Sequence, residues 1–468
     1  MEILNLLVIL GALAFLMFMA YRGHSVILFA PIAALLAVLL TAPAETLPMF
    51  SGLFMAKMVT FIQNYFPIFL LGALFGKLME ISGFARSIAS AVIKLVGPTR
   101  SIISVVLVGA ILTYGGVSLF VAVFAVYPFA AEMFRQADIP KRLIPATIAL
   151  GAFAFTMDAL PGTPQIQNII PTTYFNTTSF AAPILGSFGG LFVFALGITY
   201  LEWRRRSAAK AGEGYGTGHT NEPQLVELEK PYHWGLAIIP LLIVWVGNLV
   251  FTRLLPMWLP AEMSFSPTVV TQSDPIVVKL AANLGVWSLE MALVLGIAAV
   301  FALGGKRIVA TFARDSKEAI GGSMLASMNT ASEFGFAGVI AALPGFLVAA
   351  NALRRIPDPL SNVAITVNVL AGVTGSASGG LSMALAAMGE SFIKMADAAG
   401  IPLEVVHRVA SMASGGMDTL PHNGAVITVL AVTGLTHRQS YKDIFAITAI
   451  KTLTVFVVIG FYALTGLV

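Results

Sequence analysis

The sequence predicts an all-α integral membrane protein built from two inverted-topology repeats. Hydrophobic residues make up 57% of the 468 residues and charged residues only 11%, which departs strongly from the balance of a soluble domain. The apolar runs have the length of membrane-spanning helices and lack the alternation of barrel strands. The hexapeptide MDALPG at 157–162 returns as MDTLPH at 417–422, and other matches between the halves keep a nearly constant offset, which indicates a duplication.

The first half is expected to cross the membrane five times, at about 20 apolar residues per crossing. A re-entrant hairpin is predicted where the run 101–132 is interrupted at Thr113–Gly116, because neither arm is long enough to cross alone. A broken span is predicted where Asp158–Pro164 interrupts the next run. The spans are expected at 4–20, 25–40, 64–81, 143–170 and 182–201, with an amphipathic stretch at 85–96.

The second half repeats this plan. A hairpin is predicted over 362–395 with its tip at 376–382, and a broken span passes through Asp418. Five crossings is an odd number, so the two repeats are predicted to be inverted relative to each other. The remaining spans are expected at 235–254, 284–303, 323–343 and 444–467.

The predicted division is a first repeat at 1–203, a linker at 204–230 and a second repeat at 231–468. The linker is rich in glycine, glutamate and polar residues and shows no hydrophobic period, which is typical of a loop. Most of the 27 lysines and arginines are expected on the linker's side, so the linker is predicted to be cytoplasmic and both termini to face outward. The opposite side is expected to keep only Lys57, Arg253, Lys279, Arg354, Arg355, Lys394 and Arg408.

The hairpin tips are candidates for binding a substrate. Interrupted segments at matching places in two halves are a pointer to the binding site of a secondary transporter, and free amides at helix N-termini hold anions. Glycines allow close approach to a ligand, although small residues also serve tight helix packing. The substrate-binding candidates at the tips are Thr113, Gly115, Gly116, Ser118, Ser376, Ser378, Gly379, Gly380 and Ser382.

The two broken spans are dense in prolines and amide side chains. Amides in a membrane span cost free energy unless they face a polar site, so they are expected to contact the substrate. His422 is the histidine expected to be buried, whereas His407 is expected at a segment end. The substrate-binding candidates in the broken spans are Thr163, Gln165, Asn168, His422 and Asn423.

Two aspartates occupy equivalent places in these broken spans and have two possible roles. Asp158 and Asp418 could cap the broken helices, since aspartate accepts backbone N–H bonds at an N-cap. They could instead carry the coupling proton, because burial favours the neutral acid. Glu333, in the middle of a span, is a further candidate for proton coupling, and Lys451 could be an ion-pair partner.

The chain resembles the gluconate permease family, within the ion transporter superfamily. The resemblance rests on TYGGVSLF at 113–120, MDALPGTPQIQN at 157–168 and GSASGG at 375–380. It implies proton-coupled uptake of gluconate or a related hydroxy-monocarboxylate, a homodimer in the bacterial inner membrane, and an elevator motion of a transport domain against a scaffold. Gly162 and Thr163 stand where the family carries a histidine, which favours a smaller or less hydroxylated acid.

Other functions remain open from the residues alone. A sodium-coupled carboxylate symporter or a cation/proton antiporter would use the same two-fold plan, and a passive channel is a further alternative. An intramembrane aspartyl hydrolase also needs two membrane aspartates, but Asp158 and Asp418 lie at helix breaks rather than in catalytic loops. The chain has no cysteine, which excludes thiolate chemistry and disulfides. No catalytic residue, cofactor, metal or nucleic-acid partner is expected; the expected partners are a small organic anion, protons or sodium, and the lipid bilayer.

Overall fold

Helices form nearly all of the structure, because a chain in lipid must satisfy its backbone groups within each segment. The computed structural model describes residues 2–22, 24–97, 100–117, 119–223, 232–265, 276–353, 356–421 and 423–468. The α-helices of the first half are α1 (Glu2–Tyr21), α2 (Val26–Thr41), α3 (Thr46–Pro48), α4 (Met55–Ile81), α5 (Phe84–Val96), α6 (Ser101–Tyr114), α7 (Leu119–Gln136), α8 (Ile144–Ala152), α9 (Phe155–Asp158), α10 (Ile166–Phe175) and α11 (Pro183–Lys210).

The second half follows the same order of long helices, hairpin and broken helix. Its α-helices are α12 (Trp234–Trp258), α13 (Leu280–Gly304), α14 (Lys306–Ala342), α15 (Pro344–Leu353), α16 (Pro359–Thr374), α17 (Ala377–Ala399), α18 (Leu403–Gly416), α19 (Gly424–Thr433) and α20 (His437–Thr465). Between α12 and α13, β1 (Glu262–Phe265) pairs antiparallel with β2 (Ile276–Lys279). The sequence pattern does not predict this ribbon, because four-residue strands are too short to show an alternation.

Six helical segments in the described part of the chain are long and apolar enough to cross a membrane. This confirms the prediction of a multi-pass, mostly helical membrane protein. Among the shorter apolar helices of the described chain, Ser101–Tyr114 and Pro359–Gly372 are hairpin arms and Gly424–Thr433 is part of a broken span, whereas Val26–Thr41 is the second predicted span. The six long segments are Glu2–Met19, Pro43–Ile81, Pro183–Lys210, Trp234–Trp258, Leu280–Gly304 and His437–Thr465.

Two helices extend beyond the spans that hydropathy predicts. α11 continues past residue 201 through a stretch of arginines, alanines and Lys210, and α14 begins at Lys306 rather than near residue 323. Alanine, arginine, lysine and glutamate are strong helix formers, so the helix persists after the apolar run ends. The residues from 204 to 210 therefore belong to a helix rather than to an irregular linker.

Both predicted hairpins are present. α6 packs against α7, and α16 packs against α17. The second turn lies at Gly375–Ser376, so the predicted tip at 376–382 is wrong by most of its length: the residues from Ala377 onward form the first turns of α17. The cause is local, because the Ser376 side chain accepts a hydrogen bond from the Gly379 amide at 3.0 Å and starts the helix there.

Helices at corresponding places in the two halves make corresponding contacts. α2 packs against α14 while its counterpart α13 packs against α4, and α1 packs against α15 while α12 packs against α5. The hairpin arm α6 contacts α8, as α16 contacts α18, and α10 and α19 contact the arms α17 and α7. The broken and hairpin segments of each half therefore pack against those of the other half.

The segment 213–222, which follows α11, packs against the helices through ion pairs and hydrogen bonds. Glu213 accepts hydrogen bonds from Arg142 at 2.6 and 2.8 Å, and Glu222 pairs with the buried Lys141 at 2.8 Å and with Arg135 at 3.1 Å. The hydrogen bonds from Arg142 hold the pKa of the Glu213 carboxyl below its usual range, so this contact is charged at neutral pH. Residues 224–230 of the predicted linker lie outside the described residues.

Candidate functional site

Two helix breaks meet in the interior of the protein. α18 packs against α9 and α10, which brings the break that follows Asp158 beside the break that follows Gly416. The main-chain carbonyl of Asp158 accepts hydrogen bonds from Arg408 and from the Ser411 hydroxyl, each at 3.0 Å. Irregular backbone at membrane depth requires such partners, so the two breaks stabilise each other.

Asp158 and Lys451 form a buried ion pair between these breaks and α20. Lys451 Nζ lies 3.1 Å from Asp158 Oδ2, and the two side chains are only 2% and 3% exposed. Nζ also donates to the main-chain oxygen of Phe153 at 2.8 Å. A buried charge is costly unless it is paired and hydrogen-bonded, so each of these side chains depends on the other.

Asp418 lies at the second break and is also buried. Its Oδ1 accepts a hydrogen bond from Asn423 Nδ2 at 2.7 Å, whereas its Oδ2 has no hydrogen-bond partner in the described part of the chain. Both Lys451 and Asp158 are close enough to interact electrostatically with Asp418. The N-cap of α19 is Asn423, which accepts from the Ala425 amide at 2.7 Å, so the capping role that was open for Asp418 falls to its neighbour.

Two consecutive glycines at the end of α18 make room for this polar cluster. A Cβ on Gly415 would overlap the Asp158 carboxylate and lie 2.9 Å from Lys451 Nζ, and a Cβ on Gly416 would lie 2.9 Å from both Asn368 Oδ1 and Thr452 Oγ1. These last two oxygens are buried and lack a hydrogen-bond partner among the described residues. Acceptors of this kind at a helix break are suited to a ligand that donates a hydrogen bond.

Arg408 holds the first break from within α18. Its guanidinium is fully buried and donates to the carbonyl oxygens of Asp158, Ser179 and Ala181 and to Asn168 Oδ1, at 2.7 to 3.4 Å. Arg408 is expected from the sequence among the positive charges on the side opposite the linker, but it is a buried residue of α18, because this helix begins before the apolar run that marks the span. The five donors of arginine suit a set of carbonyl oxygens that no lysine could span.

His407 is also buried, contrary to its expected place at a segment end. Its Nδ1 lies 2.6 Å from the Thr177 hydroxyl and its Nε2 lies 3.3 Å from Asn168 Oδ1. Asn168 in turn donates to the carbonyl oxygens of Thr163 and Ser179 at 2.9 and 2.8 Å. All hydrogen-bonding groups of the Asn168 side chain are thus occupied by protein.

Glu333 lies apart from this cluster, against the tip of the second hairpin. Its carboxylate rests on Gly379, where a Cβ would overlap it, and the Ser376 hydroxyl is within hydrogen-bonding range. The Ser378 hydroxyl lies 3.4 Å from the Thr330 hydroxyl and 3.5 Å from that of Ser376. Glu333 Oε2 has no hydrogen-bond partner among the residues that the structure describes. Four oxygen-bearing side chains therefore gather at this tip.

The candidates at the first hairpin tip are close to the broken span. Gln165 Nε2 donates to the carbonyl of Thr113 at 2.7 Å, which ties the tip to the start of α10. Gly115 faces the side chain of Leu241, and Gly116, with a positive φ of 99°, lies beside Pro164 and Phe75. The space next to both glycines is therefore occupied by protein side chains.

The remaining candidates fall into three groups. Thr163 donates its hydroxyl to the carbonyl of Thr156 at 2.6 Å within the break, and Gly380 lies against the backbone of Ala371 in the other hairpin arm. Ser382 is buried with no hydrogen-bond partner for its hydroxyl in the described chain. Ser118 and His422 lie outside the described residues, so their predicted contacts stay predictions.

No group of three or more histidine, aspartate or glutamate side chains that could hold a metal ion occurs among the described residues.

The comparisons with known proteins bear on the class of the protein. No family model matches the chain. The uncharacterized transporter YxjC of Bacillus subtilis (strain 168) is 56% identical over 474 residues, which cover 99% of this chain and all of YxjC. The chain belongs to the transporter family of YxjC.

One solved transporter structure shares the fold of this chain. The YdaH transporter of Alcanivorax borkumensis superposes with a TM-score of 0.56 at 17% identity, over 92% of this chain and 90% of YdaH. MtrF of Neisseria gonorrhoeae, described as one of a class of antimetabolite efflux pumps, gives a TM-score of 0.45 at 15% identity over 89% and 84% of the two chains. The relationship to YxjC and the six apolar helices together establish a multi-pass transporter as the class, and the resemblance to gluconate permeases stays a prediction.

Sequence reasoning missed three polar residues of the central cluster. Arg408 lies among other polar residues near the start of α18, and neither Asn368 in α16 nor Thr452 in α20 is distinguished by its residue type. Lys451 could be found, because a single lysine in the middle of a long apolar run is a signal in itself. Arg408 gave the same signal more weakly, since Glu404 and His407 lie near it and make the segment look like a loop.

Proposed function

We propose that this transporter is a proton-coupled symporter that imports a small organic anion, gluconate or a related hydroxy-monocarboxylate, by alternating access. The observation that carries the proposal is the buried cluster at the junction of the two helix breaks. Asp158, Asp418, Lys451 and Arg408 are all at most 5% exposed, and ionisable residues buried within membrane proteins mark substrate and proton pathways.

The proposed architecture is a pair of inverted repeats that form a scaffold and a mobile transport domain. The same order of elements in each half and the equivalent packing of α2 on α14 and α13 on α4 support it. The hairpins and broken helices pack on one another, as expected if they move as one unit. The homodimer, the bacterial inner membrane and the cytoplasmic side of the 204–230 linker are carried into the proposal from the family resemblance and the charge distribution.

Asp158 and Asp418 are the proposed proton-coupling residues. Asp418 has one carboxylate oxygen without a partner in the described chain, and Asp158 forms an ion pair with Lys451. Burial favours the neutral form of a carboxylate, whereas a nearby cation favours the charged form, so a bound anion that competes for the cation also favours uptake of a proton. Binding of a proton and of an anion to the same cluster then compensate each other in charge.

The test is uptake by purified protein reconstituted in liposomes. With gluconate, glycerate and lactate as labelled substrates, we expect accumulation when the outside is acidic and none when only a sodium gradient is imposed. Asp418→Asn should abolish the pH-driven accumulation, while Glu290→Gln, a half-buried acid of α13 outside the cluster, should not. Uptake of none of these acids in any gradient would overturn the proposal.

A sodium-coupled carboxylate symporter is the second candidate, and one observation favours it. Glu333, Ser376, Ser378 and Thr330 bring together one carboxylate and three hydroxyls, and hard cations prefer oxygen ligands. If sodium rather than the proton drives uptake in the same liposomes, this second candidate replaces the first and Glu333 becomes its coupling residue.

A further inference from the structure

The two buried cations of the central cluster, Arg408 and Lys451, differ in whether they have an N–H donor available for a substrate. Arg408 donates to three carbonyl oxygens and to Asn168, so its guanidinium is committed to holding the first helix break. Lys451 donates to Phe153 and pairs with Asp158, and an ammonium group has three N–H donors. Lys451 therefore keeps a donor for another acceptor.

The surroundings of Lys451 contain acceptors without donors. Asn368 Oδ1 and Thr452 Oγ1 both face the backbone of Gly416, and neither has a hydrogen-bond partner in the described chain. Gly415, directly before it, lies under the Asp158–Lys451 pair. A cation and two hydrogen-bond acceptors thus lie along one edge of the second helix break.

We propose that Lys451 is the receptor for the substrate carboxylate and that Asp158 occupies this place while the site is empty. The inference rests on the proposed function and adds its binding chemistry. A proton from the outer solution adds to Asp158 Oδ2, the ion pair with Lys451 Nζ separates, and the substrate carboxylate takes the place of the aspartate. The site holds one positive and one negative charge before and after the exchange.

The same geometry defines the class of substrate. With its carboxylate on Lys451, a monocarboxylate that carries a hydroxyl group can donate to Asn368 Oδ1 or Thr452 Oγ1. An acid without a hydroxyl leaves both acceptors unpaired, and an unpaired buried polar group weakens binding. Short hydroxy-monocarboxylates are therefore preferred over plain fatty acids.

The charged groups that face Asp158 all belong to the cluster. Lys451 comes from α20, and Arg408 and Asp418 come from α18 and the break that follows it. Of the other helices packed on α9 in the described chain, α6, α8 and α10 contain no charged residue, and the charged residues of α11 begin only at Glu202. Protonation of Asp158 thus depends on the cations Lys451 and Arg408 and on the carboxylate of Asp418. Removing Lys451 is the most direct way to change it.

The experiment is calorimetric titration of the purified full-length protein with glycerate, lactate, propionate and gluconate at about pH 6 and about pH 8. Wild-type protein should bind a hydroxy acid about tenfold or more tightly at the lower pH. Asp158→Asn should bind it equally at both, because the cation is always free. Lys451→Met should lose binding, and Asp158→Asn with Lys451→Met should lose it too while removing the unpaired carboxylate that could unfold the single variant.

The matched control is Lys77→Met, which removes a partly buried lysine of α4 that pairs with Glu80 of α4 and Glu318 of α14 and should leave binding unchanged. Wild-type affinity in the double variant would overturn the inference while leaving the proposed function intact. Equal pH dependence in wild type and Asp158→Asn would also overturn it. If wild-type protein binds none of the four acids, the proposed function itself fails.

Discussion

Lys451 and Arg408 show how one buried cation can serve structure and another can serve exchange. The Arg408 guanidinium contacts only neutral acceptors at hydrogen-bonding distance, all of them on the first helix break or the segment that follows it. Lys451 contacts a carboxylate that can be neutralised by a proton. The hydrogen bonds of Arg408 do not depend on a titrating partner, whereas the pairing of Lys451 does.

Replacing Arg408 by methionine should lower the free energy of unfolding by about 3 kcal/mol, because the carbonyl oxygen of Ala181 and other buried acceptors lose their donor. Arg408→Lys should recover little of this loss, since a single ammonium cannot reach the same acceptors. The measurement is the thermal melting temperature of each purified variant.

The matched control is Arg253→Met, at an exposed position of α12, which should melt close to wild type. An Arg408→Met variant as stable as wild type would contradict the structural role assigned to this residue.

At this scale the sequence predicts the acids better than their partners. Asp158 and Asp418 stand out because each is a lone charge beside a proline in an apolar run, and the two lie at equivalent places in the halves. Asn368 does not stand out, because a single amide in a small-residue helix is also compatible with packing. Only the contact with Gly416 reveals its position in the cluster.

The two helices of the second hairpin pack very closely, and a glycine at their contact makes this packing possible. Gly380 in α17 lies so near the backbone of Ala371 in α16 that a Cβ would overlap it. Gly109 of α6 is likewise close to the backbone of α8: a Cβ on Gly109 would lie 3.3 Å from the main-chain nitrogen of Ala152. Small residues at such crossings let membrane helices pack closely.

Gly380→Ala should therefore force the arms apart and destabilise the protein by about 1 to 3 kcal/mol, the range of overpacked cores. Gly424→Ala is the control, because nothing lies within 4 Å of a Cβ there and alanine is the better helix former at the start of α19. The two variants can be compared by thermal melting in the same detergent. Equal melting temperatures would mean that the hairpin adjusts at no cost.

Hairpins and breaks are predictable from the sequence, but their ends are not. The interruptions at Thr113–Gly116 and around Asp158 and Asp418 give the right elements, because an apolar run broken by glycine, proline or aspartate does not form a simple span. The turn of the second hairpin includes only the first residue of the predicted tip, because the Ser376 side chain caps α17 there. Capping depends on side-chain geometry that hydropathy does not contain.

The whole molecule brings both halves together at one cluster. Lys451 comes from the last helix of the second half, Asp158 from the first half, and Asp418 from the second break. The segment 213–222 spans the ends of helices from both halves, through the contacts of Glu213 with Arg142 and of the Thr220 hydroxyl with the carbonyl of Gly434. The order of the elements could be predicted from the duplication, whereas this docking could not, because the linker has no hydrophobic pattern to follow.

We propose that one proton and one anion cross together through this cluster, with Asp158 as the group that exchanges with the anion. The direct measurement records external pH and uptake of a labelled hydroxy acid simultaneously in liposomes, with the membrane potential clamped at zero and then varied. We expect wild-type protein to take up one proton with each anion, independent of the membrane potential. Asp158→Asn should move the anion without the proton. Proton uptake that persists with the anion in Asp158→Asn would contradict it.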